Sequence, residues 1–250
     1  MSVEAIPLAK LALAFAPVLV VVVIFYRWSL NAPNALYALA RMLTQLLLIG
    51  YFLVYLFESD DAVLVVAVLA VMVFVSSWIA LRTIKVQRRK LYLSALASIA
   101  FGGGITLLLI TEWVLDLTPW YWPRYMIPLA GMIFANAMNS VSLAAERFMA
   151  ETERGVSYDQ ARRIAFHASM IPVINSLFAV GLVSLPGMMT GQILSGISPL
   201  IAARYQIMVM CMIFGSAGIA TACFLVLIKR YVTDSASMFV EPGPKASGKE

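Results

Sequence analysis

The chain alternates along its length between long apolar stretches and short polar segments. Seven stretches of 16 to 24 residues contain no charged side chain. Roughly 20 apolar residues are needed to cross the hydrocarbon core of a bilayer. The pattern therefore predicts an all-α, polytopic transmembrane helix bundle of about seven spans. The predicted spans are Leu11–Tyr26, Met42–Phe57, Ala62–Leu81, Leu91–Thr111, Tyr125–Ala145, Ala168–Pro186 and Tyr205–Ile228.

Basic residues are distributed unevenly between the two sides that these spans define. Of the 18 lysines and arginines, all but Lys10, Arg124 and Arg204 fall in segments that lie on one side. Cytoplasmic loops of membrane proteins carry an excess of Lys and Arg. The distribution therefore predicts an outer N-terminus and a cytoplasmic C-terminus.

Composition narrows the possible classes of protein. Hydrophobic residues make up 62% of the chain and charged residues 12%, whereas soluble domains have about 25% charged residues. A water-soluble fold is excluded. The net charge of +5 does not indicate nucleic-acid binding, because the basic residues flank apolar spans and are not interleaved with aromatic residues. We expect a single transmembrane domain over residues 1–232 and a disordered cytoplasmic tail at 233–250, which is rich in Pro, Gly and Ser.

The sixth span lies in an uncharged run of 36 residues, from Ala168 to Ala203, that contains its own interruption. Pro172 and the Pro186-Gly187 pair bracket only 13 residues. Proline removes a backbone donor and clashes with the preceding turn, so the sequence predicts a break at both positions. Lipid cannot satisfy the freed backbone groups, and such breaks are tolerated only where protein or a watery cavity shelters them. This anatomy favours a transporter over a simple membrane anchor.

The polar segment between the fifth and sixth spans predicts a second distinctive element. The fifth helix can continue to Arg154, and Gly155 would then end it. Ser157 and Gln160 have the spacing of a capping box, which predicts that a new helix begins at Ser157. We call residues 146–169, which contain this helix–Gly–helix arrangement, the elbow. It can dock in a groove of a partner protein or serve as a solvated connector, and the spacing leaves both possibilities open.

Three sequence blocks are specific enough to be recognised. They are GMIFANAMNSVSLAAER from Gly131 to Arg147, IPVINS from Ile171 to Ser176, and GLVSLPGMMTGQILSG from Gly181 to Gly196. Pro199 and the sequence Arg204-Tyr205-Gln206-Ile207 continue the pattern. Together these residues resemble the bacterial iron-export ABC permease family, whose plant relatives include aluminium-tolerance membrane subunits.

The resemblance implies a non-catalytic membrane permease that exports iron or a related metal. It implies that ATP binds to a separate ATP-binding cassette ATPase subunit, and that this chain binds no cofactor of its own. It also implies a homodimer of permeases surrounded by lipid in the bacterial inner (plasma) membrane. The elbow would then be the segment that couples to the ATPase.

The candidate site residues form two groups. Residues that we expect along the translocation pathway are Asn136, Asn139, Ser140, Asn175, Ser184, Pro186, Gly187, Met188, Met189, Thr190 and Gln192. Residues that we expect at the ATPase contact are Glu146, Arg147, Glu151, Arg154, Gly155, Ser157 and Gln160. For the asparagines, hydrogen bonding between helices is the structural alternative. We assign no catalytic residue and no metal ligand.

Two other classes of function are alternatives. An ion-coupled secondary carrier without an ATPase usually has Asp, Glu or His at the midplane, and spans two to seven contain none. A membrane-embedded enzyme is the less favoured alternative, because the sequence contains no HExxH, no GxSxG and no paired intramembrane acids.

Overall fold

The computed structural model describes residues 7–84 and 88–229, and these residues are overwhelmingly helical. Within them, the β-type pairing consists of an isolated bridge between Val180 and Ser184. The chain divides into two compact units, Met1–Ser59 and Asp60–Glu250. The predicted tail at 233–250 lies outside the described residues, and the predicted single domain over 1–232 stays a prediction.

From residue 7 onward, the first unit contains three helices, α1 (Leu8–Leu13), α2 (Ala16–Arg27) and α3 (Ala32–Glu58). The turn between α2 and α3 begins at Ser29, whose φ is +54°. The backbone N–H of Asn34 donates to Oδ1 of Asn31, the N-cap residue of α3, over 3.1 Å. This cap explains why α3 begins ten residues before the predicted start at Met42: the helix continues through Arg41.

The second unit contains six helices in its described part. They are α4 (Ala62–Ala80), α5 (Arg88–Leu108), α6 (Pro123–Glu153), α7 (Tyr158–Ala179), α8 (Gly187–Leu194) and α9 (Pro199–Leu227). A π-helical segment, Leu109–Val114, extends α5. Helix α6 packs against α4, α5, α7 and α9, and therefore lies at the centre of this unit.

The tightest helix contact in the second unit lies between α5 and α9. A Cβ atom added to Gly102 would lie 2.6 Å from the backbone nitrogen of Ala220, and one added to Gly103 would lie 2.6 Å from the ring of Phe134 in α6. Small residues let helix backbones approach closely. In lipid, where the hydrophobic effect does not drive helices together, this close packing holds them in contact. The glycines of α5 thus set the spacing of three central helices.

Among the described residues, six helical segments are long and apolar enough to cross a membrane, and they correspond to every predicted span except the sixth. In that region α7 runs antiparallel to α9. The hydroxyl of Tyr158 donates to the carbonyl of Leu225 over 2.8 Å, and Met170 further along α7 packs with Ala217. α7 has 22 residues, but its first turns carry Asp159, Arg162 and Arg163, which keeps it out of the six. The six candidate spans are roughly consistent with the predicted seven, and the orientation stays a prediction.

The predicted break at Pro172 is wrong, because α7 continues through this residue to Ala179. A proline removes one hydrogen bond but need not end a helix, and Pro128 likewise lies inside α6. The break comes later, over residues 180–186. There the carbonyl of Ala179 accepts three backbone N–H groups, from Leu182, Val183 and Ser184, over 3.3, 2.8 and 3.2 Å.

Candidate functional site

The end of α6 has the geometry that the sequence predicts for the elbow. Gly155 has a φ of +79°. Its N–H donates to the carbonyl of Thr152 over 3.0 Å, and the N–H of Val156 donates to the carbonyl of Glu151 over 3.1 Å. These two bonds define a Schellman motif, which a glycine accommodates without strain. The predicted helix end at Gly155 is confirmed.

The predicted start of α7 at Ser157 is confirmed, but the capping box from which it was predicted does not form. Ser157 is the N-cap residue of α7, and its carbonyl accepts from the N–H of Ala161 over 2.8 Å. Its hydroxyl makes no capping hydrogen bond, so the predicted capping box is not formed. The helix is held instead by contacts of the next residue, Tyr158.

Tyr158 joins the elbow to the far end of the chain's last described helix. Its ring packs edge-on against Phe148 of α6, with centroids 5.8 Å apart. Its hydroxyl reaches the carbonyl of Leu225, in the last turn of α9, where carbonyls lack partners within their own helix. The guanidinium of Arg162 and the ammonium of Lys229 each lie 5.4 Å from the ring centroid. We call this arrangement the Tyr158 clamp.

The capping-box pattern at Ser157 and Gln160 does not predict this clamp, because Tyr158 lies inside the pattern without a role in it. The available signal was an aromatic residue at the first position of an otherwise polar helical turn. Burying the ring of such a residue is favourable when its hydroxyl can donate a hydrogen bond to a carbonyl at the end of another helix.

Glu151 is the only coupling candidate whose side chain is buried, with 6% of it exposed. Its Oε1 accepts from Arg147 over 2.7 Å and lies 3.4 Å from the guanidinium of Arg154. A buried carboxylate must be paired, and these two arginines pair it. Glu151 therefore positions two surface cations and does not itself face a partner.

The other coupling candidates lie on the surface of the elbow. Exposed residues are Glu146, Arg147, Arg154, Gly155, Ser157 and Gln160. The elbow thus presents both charge signs and a glycine turn on a backbone that the Schellman motif and the Tyr158 clamp hold in place.

The pathway candidates lie on three different elements. In α6, Asn136 is half-buried and its side-chain N–H donates to the carbonyl of Met132 over 2.8 Å, so its amide is bonded within its own helix. Asn139 is exposed and Ser140 is buried. Asn175 is exposed on α7.

The remaining pathway candidates belong to the break and to α8, which packs mainly on α9. Ser184 and Gly187 are exposed, whereas Pro186, Met188, Met189, Thr190 and Gln192 are half-buried. Met188 packs against the hydrophobic core. The hydroxyl of Thr190 donates back to the carbonyl of Pro186 over 3.2 Å, which closes the first turn of α8.

Gln206 of α9 is a further polar residue at membrane depth that the candidate set lacked. It is 5% exposed, and its Oε1 is buried without a hydrogen-bond partner among the described residues, as is Oε1 of Gln192. A buried amide oxygen left unpaired is unfavourable by about 1–3 kcal/mol. The sequence signal was that Gln206 is the only amide in the last predicted span.

The described residues contain no group of three or more His, Cys, Asp and Glu side chains. Their buried side-chain polar atoms without a hydrogen-bond partner are Arg88 Nε, the hydroxyl oxygens of Ser94 and Thr221, and the amide oxygens of Gln192 and Gln206.

Comparison with known proteins places this arrangement in a family. The family model of UPF0014, described as an uncharacterised protein family, matches residues 8–157 and 153–232. The chain belongs to the UPF0014 family. This UPF0014 protein is 37% identical over 214 residues to the UPF0014 membrane protein slr1647 of Synechocystis, covering 78% of this chain and 81% of the relative.

Two further relatives carry more informative names. The probable iron export permease protein FetB of Escherichia coli is 35% identical over 240 residues, covering 89% of this chain and 91% of FetB. The protein ALUMINUM SENSITIVE 3 of Arabidopsis thaliana is 32% identical over 231 residues, covering 86% and 83% of the two chains. No solved structure matches the chain. These findings confirm the predicted family and an integral membrane protein, and the E. coli relative supports the bacterial inner membrane.

Proposed function

We propose that this UPF0014 protein is the permease subunit of an ABC transporter that exports iron or a related metal. A separate ATP-binding cassette ATPase binds and hydrolyses the ATP, and it docks on the elbow. The choice of iron rests on the name of FetB, which aligns with nine-tenths of this chain. The elbow is cytoplasmic in this proposal.

The proposal that the ATPase docks on the elbow is supported by two features of the elbow together: its surface is exposed, and it is attached firmly to the membrane helices. The elbow displays six exposed candidate residues, and Tyr158 bonds directly to the end of α9. A push on the elbow surface therefore reaches α9 through the hydrogen bond from Tyr158 to Leu225, and reaches α6 through the contact between Tyr158 and Phe148. A solvated connector would not require either attachment.

The proposed pathway follows the polar groups of α6, α7, α8 and the break. Asn139 and Asn175 are exposed amides in the uncharged parts of α6 and α7, and Gln192 has an amide oxygen without a partner in the described structure. Amide and hydroxyl oxygens suit hard cations better than soft ones. The proposed transporter has two permeases within the lipid and two ATPases on their cytoplasmic side.

The test uses the full-length permease co-expressed with an ATP-binding cassette protein encoded beside it. We expect the two chains to copurify, and we expect Fe²⁺ to stimulate ATP hydrolysis by the pair in proteoliposomes. Glu146→Lys reverses an exposed charge on the elbow and should weaken copurification. Glu112→Lys reverses an exposed charge on the π-helical segment and is the matched control.

Two results would contradict the proposal. If no ATPase copurifies and iron transport continues in vesicles without ATP, the protein is an ion-coupled carrier. If Glu146→Lys and Glu112→Lys reduce copurification equally, the elbow is not the docking surface.

A further inference from the structure

Two grooves run along the same side of α9 in the second unit. One lies between α7 and α9, has a volume of about 340 Å³, and is lined by Arg162, Arg163, Phe166, Ala222, Leu225 and Val226. The other lies between α5 and α9 and has a volume of about 450 Å³. Ala222 and Val226 line both, so the two grooves are adjacent and share this part of α9 as a common wall. We call the combined feature the α9 groove.

The α9 groove is charged at one place and apolar along the rest. Arg162 and Arg163 lie on its α7 side, and Lys229 lies at the same end, beside the ring that Arg162 also contacts. On the α5 side its lining is formed by Ala97, Phe101, Cys223 and Leu227, with Ser98 the one hydroxyl. A molecule that fits must carry a compact anionic group joined to a long apolar segment.

Acidic side chains of the described residues do not neutralise this end of the groove. Asp159 lies 3.2 Å from Arg162, but its side chain is 71% exposed, and exposed ion pairs of this kind contribute little. Arg163 is exposed and has no ion pair with a carboxylate among the described residues. The two guanidinium groups therefore leave donors available for a ligand.

We propose that the α9 groove binds an anionic phospholipid, with its phosphate on Arg162 and Arg163 and an acyl chain along Ala222 and Val226. Basic pockets between transmembrane helices near the headgroup region recognise anionic lipids. Arginine is suited to this role because its planar fork matches the oxygens of a phosphate. A second permease copy fits less well. In the same membrane orientation it would bring its own two arginines to the same depth, where like charges repel.

The position of this site gives the lipid a structural role that is independent of transport. Arg162 contacts the ring of Tyr158, whose hydroxyl is bonded to Leu225, and Leu225 itself lines the groove. A bound headgroup would bridge α7 and α9 at the Tyr158 clamp. Bound lipid therefore stabilises the junction between the elbow and the membrane helices.

The test compares lipid binding to the detergent-solubilised full-length chain by native mass spectrometry. The probes are dioleoylphosphatidylglycerol and dioleoylphosphatidylcholine, which share their acyl chains and differ in net charge. We expect wild type to retain the anionic lipid preferentially. The double variant R162Q/R163Q should bind it about 30-fold more weakly, since each basic residue near anionic lipid contributes about 1 kcal/mol, or about fivefold. The control R124Q/R204Q removes two exposed charges elsewhere and should leave binding unchanged.

A second variant tests the apolar part of the site. Ala222→Leu fills the region that both grooves share and should weaken retention of the anionic lipid without changing the charge. Equal retention of the two lipids by wild type would overturn the proposal, as would unchanged binding in R162Q/R163Q. Full competition by soluble glycerol phosphate would identify a phosphate site instead of a lipid site. Dimers that form only without lipid and are lost in Ala222→Leu would show that a second copy occupies the groove.

Discussion

Replacing Gly102 by alanine tests whether the contact between α5 and α9 organises the second unit. The new Cβ would lie 2.6 Å from the nitrogen and 2.9 Å from the Cα of Ala220. These are backbone atoms, so the overlap cannot be relieved by a side-chain rotation, and one helix must move. Overpacking of this kind destabilises by about 1–3 kcal/mol.

Gly104 supplies the matched control for this substitution. It lies on the same helix, and a Cβ added there meets no atom within 4 Å. Both substitutions gain the same intrinsic helix propensity of alanine over glycine, about 1 kcal/mol, which cancels in the comparison. The difference in unfolding free energy between Gly102→Ala and Gly104→Ala therefore measures the overlap alone.

The assay is thermal unfolding of both variants in the same detergent. A difference of 1 kcal/mol corresponds to about 2–4 °C in Tm for a chain of this size. We expect Gly102→Ala to unfold at least several degrees below Gly104→Ala. Equal Tm values would show that the helices separate without penalty, and would refute the close packing of α5 on α9 as an organising contact.

Three further variants address the elbow and the pathway. Tyr158→Phe removes the hydroxyl that bonds to Leu225 and should lower the unfolding free energy by about 0.5–1.5 kcal/mol; an unchanged value in a denaturant titration would contradict the clamp. Glu151→Gln weakens two charge-assisted contacts and should destabilise by about 1–3 kcal/mol in the same titration, whereas no loss of stability would mean that the arginines do not hold this carboxylate. Asn139→Leu should reduce Fe²⁺ efflux from proteoliposomes while leaving Tm within a degree or two, because Asn139 is exposed and outside the core; normal efflux would remove it from the pathway.

Hydrophobicity made the membrane spans predictable, because crossing a bilayer imposes a length and an absence of charge. Six of the predicted spans coincide with long helical segments that differ from them mainly at their ends, as Ala62–Ala80 does. The ends were less predictable. The chain outside the apolar run stays helical wherever a cap or a tertiary contact supports it, as Asn31 supports the early start of α3.

The candidate site was predictable only in part. The end of α6 at Gly155 follows from the freedom of glycine to adopt a positive φ, which is a local property. The start of α7 depends instead on a hydrogen bond between Tyr158 and Leu225, which are 67 positions apart in the chain. A contact between residues so distant in sequence cannot be predicted from a local pattern. Pro172 failed as a marker for the same reason: whether a proline ends a helix is decided by its surroundings.

The break after Ala179 has a consequence for movement within lipid. The backbone N–H groups of Leu182, Val183 and Ser184 all donate to the carbonyl of Ala179, the last residue of α7. A loop between two helices can change conformation in a bilayer only if no unpaired N–H group becomes exposed to hydrocarbon. In this loop the carbonyl of Ala179 accepts those N–H groups. A change in the angle between α8 and α7 therefore need not expose the N–H groups of residues 182–184 to hydrocarbon, and the packing of α8 on α9 is what resists it.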